Sequence, residues 1–154
     1  MTQVLLVEDD ENKRSRITDY YCERFPGDAF TYADAMVTGL RAAREIRPDL
    51  IILDMTLPNY SISAAQGYNP MRPFGGRDFL RQLLRLDLVT KVVIVTQFET
   101  FGSPPNLVNL SGLDDELRRE FDPVYLGSIY YHASKASWQA ELSMYRETLK
   151  PESE

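Results

Sequence analysis

Residues 3–7 form a continuous, β-branched apolar run, too short for a helix, that stops abruptly at three carboxylates, Glu8, Asp9 and Asp10. This pattern predicts a strand buried on both faces that ends at a polar site. The spacing then changes. Between Glu11 and Phe25 the apolar residues Ile17, Tyr20, Tyr21 and Phe25 fall at i, i+3, i+4 and i+8, the stripe of an amphipathic helix, and Pro26 and Gly27 end it. The alternation repeats down the chain. A short strand is predicted at 30–32, after which Asp34 caps a helix that turns Met36, Leu40 and Ala43 inward until Pro48 closes it. Residues 50–53 are apolar throughout and deliver Asp54 at their carboxyl end; residues 91–95 do the same for Thr96. Between them a helix over 75–86 carries Phe79, Leu80, Leu83 and Leu84 on its apolar side. A capping-box-like start at Ser111 predicts a helix to about Phe121. Residues 129–131 suggest a fifth strand, and Trp138, Leu142, Tyr145 and Leu149 mark a last helix.

Such alternation implies an α/β fold: parallel strands joined by right-handed crossovers, with helices on both faces of the sheet. The length of 154 residues suits one domain, taken as 1–150, followed by a solvated tail at 151–154. In sheets of this kind ligands bind outside the carboxyl ends of the strands, near the point where strand order reverses. The residues expected there are Glu8, Asp9, Asp54, Thr96 and, just beyond the fifth strand, Lys135.

Charge and composition narrow the function. The net charge of −6, with no basic run long enough to track phosphates, argues against direct nucleic-acid binding. No apolar stretch approaches the length of a membrane span, and the N-terminus has neither the basic flank nor the cleavage site of a signal peptide, so a cytoplasmic protein is expected. The lone Cys22 reads as a packed, reduced thiol.

The carboxylates carry the chemistry. Glu8, Asp9 and Asp54 at one sheet edge would repel one another unless a cation sat among them, and Mg2+ suits an all-oxygen site completed by water and a phosphate oxygen. Asp54 would then attack a phosphoryl donor as an oxygen nucleophile, with the metal, the Thr96 hydroxyl and the Lys135 ammonium sharing the charge on the transferred group. On their own, Glu8, Asp9 and Asp10 suit helix capping equally well, and Lys135 suits a solvated helix start.

Together, residues 4–10, residues 51–58, residues 92–96 and the pair Ser134 and Lys135 resemble the ordered signatures of response-regulator receiver domains of the CheY-like family, over nearly the whole chain. The resemblance implies a doubly wound, flavodoxin-like sheet of five parallel strands. It implies Glu8 and Asp9 as the metal-binding acids, Asp54 as phosphoacceptor and the Thr56 backbone carbonyl as a further metal ligand. Thr96 becomes the switch hydroxyl and Lys135 the phosphate-binding lysine. His132, or else Tyr130 or Tyr131, stands where receivers carry an aromatic that rotates on activation. The implied partners are a sensor histidine kinase or phosphotransfer protein upstream and a protein target downstream, since no output domain follows the last helix unless the chain was cut from a longer regulator. The implied activity is at most self-phosphorylation from a phosphodonor and hydrolysis of the acyl phosphate.

The chain departs from the family pattern at several positions. Ala136 stands where a proline usually follows the lysine, Gln97 where a small residue usually follows the threonine, and the connections 59–74 and 97–122 are long. These features leave room for a degenerate receiver that binds protein without being phosphorylated. A phosphatase of the haloacid-dehalogenase kind is the other class, disfavoured because the acidic pair precedes the candidate nucleophile. The long connections are expected to lie over or beside the site and to offer Tyr60, Tyr68, Phe74 and Phe101 to a partner, in place of the usual phosphorylation-dependent dimer.

Overall fold

The structure is a computed structural model that describes residues 1–61 and 67–149; the tail expected at 151–154 lies outside the described residues. In chain order the elements are β1 (Gln3–Val7), α1 (Glu11–Arg24), β2 (Ala29–Ala33), α2 (Met36–Ile46), β3 (Leu50–Leu53), β4 (Leu57–Pro58), β5 (Met71–Arg72), α3 (Gly75–Arg85), β6 (Lys91–Thr96), β7 (Thr100–Phe101), β8 (Val108–Asn109), α4 (Leu110–Phe121), β9 (Tyr125–Tyr130) and α5 (Ser137–Glu147). The central sheet has five strands in the order β2-β1-β3-β6-β9, all parallel. This is the expected doubly wound, flavodoxin-like arrangement.

The strand sequences explain the layering. Successive side chains of β1, β3 and β6 point to opposite faces, and each face is apolar, so both must be covered. Leu5, Val7, Ile51, Leu53, Val92 and Ile94 pack beneath α2, α3 and α4 with Phe79, Leu83, Leu117 and Phe121. Val4, Leu6, Leu50, Ile52, Val93 and Val95 pack beneath α1 and α5 with Ile17, Tyr21, Trp138 and Leu142. The chain leaves β1 towards β2 on one side, then returns to β3 on the other. The reversal therefore lies between β1 and β3, the strands that end at Glu8 and Asp54.

Several local expectations are revised. α2 begins after Ala35, and the Asp34 carboxylate does not cap it but accepts from the hydroxyls of Thr38 and Ser61. α4 is capped by Asn109, whose Oδ1 accepts from the Gly112 N–H at 2.8 Å, rather than by Ser111. β9 starts at Tyr125, four residues earlier than expected; Gly127 and Ser128 interrupt its apolar run, although its burial alternates strictly along the strand. Cys22, expected to be packed, is exposed.

The long connections contain two antiparallel hairpins, β4 with β5 and β7 with β8. They touch through Phe74 and Phe101, whose ring centroids lie 6.2 Å apart. Phe101 is buried and Phe74 half-buried, so these two rings pack the connections together, while Tyr60 and Tyr68 are exposed.

At the opposite end of the sheet, Asp28 ties α1, β2 and α5 together. Its carboxylate accepts from Arg146 Nε at 2.7 Å, Arg146 Nη2 at 2.9 Å and the Tyr21 hydroxyl at 2.6 Å. Burial alone would raise the Asp28 carboxyl, but Arg146 and Tyr21 hold it below its ordinary range. A carboxyl depressed in the folded state contributes stability above its unfolded value, about 3.9, and loses it as pH falls through the lowered folded value. Asp28→Asn is therefore expected to cost about 1–3 kcal/mol at neutral pH, measured by denaturant unfolding. The gap between wild type and variant should shrink as pH falls below about 4.

Candidate functional site

The ladder that sets the sheet also aims the acids. The Glu8 N–H donates to Ala33 O and the Asp54 N–H to Val7 O, both at 3.0 Å, so β1 and β3 are held for one residue past their formal ends. Glu8 and Asp54 are buried and Asp9 is half-buried. One carboxylate oxygen from each of the three lies within 4.8 Å of the others. Asp10 has a different role, because its Oδ2 accepts from the Lys13 N–H at 2.8 Å and caps α1. Of the three acids in this run it is Asp10 that caps α1.

Lys13 is the resident cation of the pocket. It lies on the first turn of α1, is 2% exposed, and turns inward. Its Nζ sits 2.6 Å from Glu8 Oε1 and 3.3 Å from Asp54 Oδ1, and donates to the Val95 carbonyl at 2.7 Å. The Tyr131 ring lies alongside, with its centroid 5.7 Å from Nζ. Asp54 Oδ1 meets the ammonium as an ion pair and, among the described residues, makes no hydrogen bond. Burial pushes the Glu8 carboxyl up to about 8, against the opposing pull of Lys13 and with the help of Asp54. Asp9 is also raised, first by burial and then by Asp54. Burial disfavours the Lys13 ammonium, but the Asp54 and Glu8 charges outweigh it and the net shift is upward.

Lys13 is absent from the residues expected at the site, although the sequence carries a signal for it. Lys13, Ile17 and Tyr21 stand at i, i+4 and i+8, and these three are the buried residues of α1. Lysine is rarely buried without a partner, so a lysine in register with the apolar stripe one turn after an acidic run is a candidate for pairing with it.

Thr96 is fully buried at the end of β6, and its Oγ1 accepts from the Phe98 N–H at 3.2 Å, leaving its own proton to donate. Its carbonyl accepts from the Tyr131 N–H. Thr56 follows Asp54 in the bend before β4, its hydroxyl donating to Pro73 O at 3.3 Å. Lys135 is exposed in the turn after β9, where it lines an open groove with Arg16, Asp19 and Trp138; among the described residues it makes no ion pair. The structure thus brings Glu8, Asp9 and Asp54 together, sets Thr96 at the neighbouring strand end, and puts Lys13 rather than Lys135 against Asp54. Gln97 is exposed, and so is His132, whose Nδ1 accepts from the Ser134 N–H. Tyr131 is the buried aromatic beside the pocket.

No family model matches the chain. It is 40% identical over 148 residues to the uncharacterized protein y4jR of Sinorhizobium fredii, covering 96% of this chain and 98% of that one. It is 27% identical to the Detocs response regulatory protein DtcB of Enterobacter cloacae, over 91% of this chain and 95% of that protein. A 30% match to the response regulator GacA of Pseudomonas aeruginosa covers 70% of this chain and 44% of GacA. Among solved structures, a CheY-like receiver domain protein from Methanospirillum hungatei superposes with a TM-score of 0.63 at 17% identity, covering 97% of this chain and 94% of that one. The response regulator TrrA of Thermotoga maritima, in complex with Mg2+ and BeF, gives 0.63 at 16% identity, covering 97% and 100%.

The backbone beneath the pocket depends on a glycine. A Cβ on Gly76, in the first turn of α3, would meet Asp54 O at 2.7 Å and Met55 Cα at 2.9 Å, and the Gly76 N–H donates to Met55 O at 2.8 Å. Glycine is required because helix and strand-end backbones touch here. Alanine ordinarily favours a helix over glycine by about 1 kcal/mol, but at this position the forced shift should outweigh that and give a net loss of about 1–3 kcal/mol. Gly76→Ala is expected to lower the melting temperature and move the Asp54 and Met55 amide resonances. Gly27→Ala, with no described residue within 4 Å of the added methyl, serves as the control that should do neither.

Proposed function

Because the chain belongs to the CheY-like family of response-regulator receiver domains of two-component systems, we propose that Asp54 is its phosphoacceptor and that Mg2+, held by Glu8, Asp9 and Asp54, is required for the transfer. One observation carries the proposal: Asp54 stands buried at the carboxyl end of a central strand, with an oxygen that makes an ion pair but no hydrogen bond among the described residues, beside carboxylates close enough to share a cation. The donor set fits a hard divalent ion. It is all oxygen, and three carboxylates against one ammonium leave two negative charges uncompensated when all are ionised. The Thr56 carbonyl, two residues past Asp54, is assigned as a further ligand by the family resemblance.

In this reading the donor is a phosphohistidine on a sensor histidine kinase or phosphotransfer protein. A carboxylate oxygen of Asp54 bonds to phosphorus as the phosphorus–nitrogen bond breaks, and the leaving imidazole takes up a proton. When held by these carboxylates, Mg2+ would supply positive charge that offsets the negative charge of the transferring group. The Thr96 hydroxyl, whose oxygen already accepts from the Phe98 N–H, donates a hydrogen bond to a phosphoryl oxygen. Of the two candidate ammonium groups Lys13 is in the pocket and Lys135 on an exposed turn, so charge on the transferred group falls to Lys13. The phosphorylated surface then acts by contact with a protein target.

Intact-mass measurement after incubation with a small phosphodonor and Mg2+ tests this. Wild type should gain one acid-labile phosphoryl group, lost when a chelator is in excess. Asp54→Asn should gain none, and labelling of that variant at the wild-type level would overturn the assignment.

A further inference from the structure

We propose that Lys13 is a built-in counter-cation that competes with the divalent metal for Glu8 and Asp54, so that the resting pocket is closed by an internal ion pair and binds metal more weakly than its carboxylates alone would. This inference rests on the metal site proposed above.

Three observations carry it. The Lys13 ammonium occupies the same carboxylates that would ligate the metal, at 2.6 Å from Glu8 and 3.3 Å from Asp54. Its third contact, the Val95 carbonyl at 2.7 Å, holds it there independently of the acids. It also has no easy exit, because it is 2% exposed and flanked by the Tyr131 ring. A metal ligated by Glu8 and Asp54 would lie within a few ångströms of this ammonium, and like charges at that range in a partly desolvated pocket repel strongly. Metal entry therefore requires Lys13 to give up Glu8 or Asp54, or to stay at the cost of that repulsion. Asp9, half-buried and outside the ion pair, is the carboxylate left free to receive the incoming ion.

Lys13 is thus a positioning residue with a specific signature. A neutral side chain at this position should tighten metal binding, whereas loss of a merely structural contact would loosen it. The experiment is thermal unfolding of wild type, Lys13→Met and Lys13→Gln across a series of Mg2+ concentrations. A ligand that binds only the folded state raises the melting temperature according to its affinity, so even a destabilised variant reports its metal binding. Both variants are expected to melt below wild type without metal and to respond at Mg2+ concentrations at least about tenfold lower, a size that survives even water-like screening of a unit charge against a divalent ion at this range. Lys13→Arg, which keeps the charge, should respond as wild type does. A wild-type response with unchanged or weaker responses in both neutral variants overturns the inference and leaves the metal site standing. Neutral variants that stay unfolded at every Mg2+ concentration also overturn it, because the metal then cannot stand in for the ammonium. No response in any of the proteins overturns the metal site and the inference together.

Discussion

Three carboxylates gathered where strand order reverses repel one another, and the carboxyl edge of the sheet is arranged around that repulsion. Glu8 and Asp54 cannot retreat, because the parallel pairing of β1 with β3 fixes their backbones and the ladder runs one residue beyond each strand. Water cannot fully solvate them, since both side chains are buried. What remains is positive charge, and α1 supplies it from its first turn through Lys13. Removing one member of a buried pair typically costs about 3–5 kcal/mol, because the other is left uncompensated. The ammonium therefore stabilises this edge of the sheet, through the same acids whose exposure to a metal would make them useful.

That double duty explains the division of labour along residues 8–13. Asp10 caps α1 by accepting from the backbone N–H of Lys13 itself, while the Asp10 N–H donates to Glu8 Oε2, on the partner carboxylate, at 3.1 Å. Capping and charge compensation are thus one local arrangement. It extends across the sheet through the Val95 carbonyl to the end of β6, where Thr96 is paired to Tyr131, and Tyr131 in turn packs on Trp138 of α5 at 5.3 Å between centroids. A change in the position of Lys13 would be felt first at these groups, because they touch it or are one residue removed from it.

Much of this is legible in the sequence for a simple reason: strands buried on both faces leave uninterrupted apolar runs, and an acid that ends such a run is placed by the sheet itself. Glu8, Asp9, Asp54 and Thr96 all stand at such ends. Lys13 is harder to see, because apolar residues at helical spacing define the inward stripe of α1, and a charged residue on that stripe passes for part of the solvent face. Lys135 owes its expected place to likeness with a motif whose turn differs here, at Ala136, and local chemistry leaves it exposed. The expected fifth strand is too short because Gly127 breaks the apolar run of β9; that glycine leaves room for Tyr145, whose hydroxyl would lie 2.1 Å from an added Cβ. Asp34 has the position of a cap, but its hydroxyl partners include Ser61, 27 residues away, a contact no local rule can see.

The long connections bear on the same edge. The β4–β5 hairpin leads into Gly75 and Gly76, which seat α3 on the backbone of Asp54, Met55 and Leu57, and the β7–β8 hairpin leads from Thr96 into α4. The two connections meet at Phe74 and Phe101, and α3 is linked to α4 through Arg81 with Glu120 at 2.8 Å and Arg77 with Glu116 at 3.9 Å. Those ion pairs are partly exposed and individually weak, so the aromatic contact and the shared apolar layer do most of the joining. The strand ends at Asp54 and Thr96 are consequently not independent. Each opens into a connection that packs against the other, so a displacement of the backbone at Asp54 must be absorbed by α3 and, through Phe74, by the segment that carries Phe101.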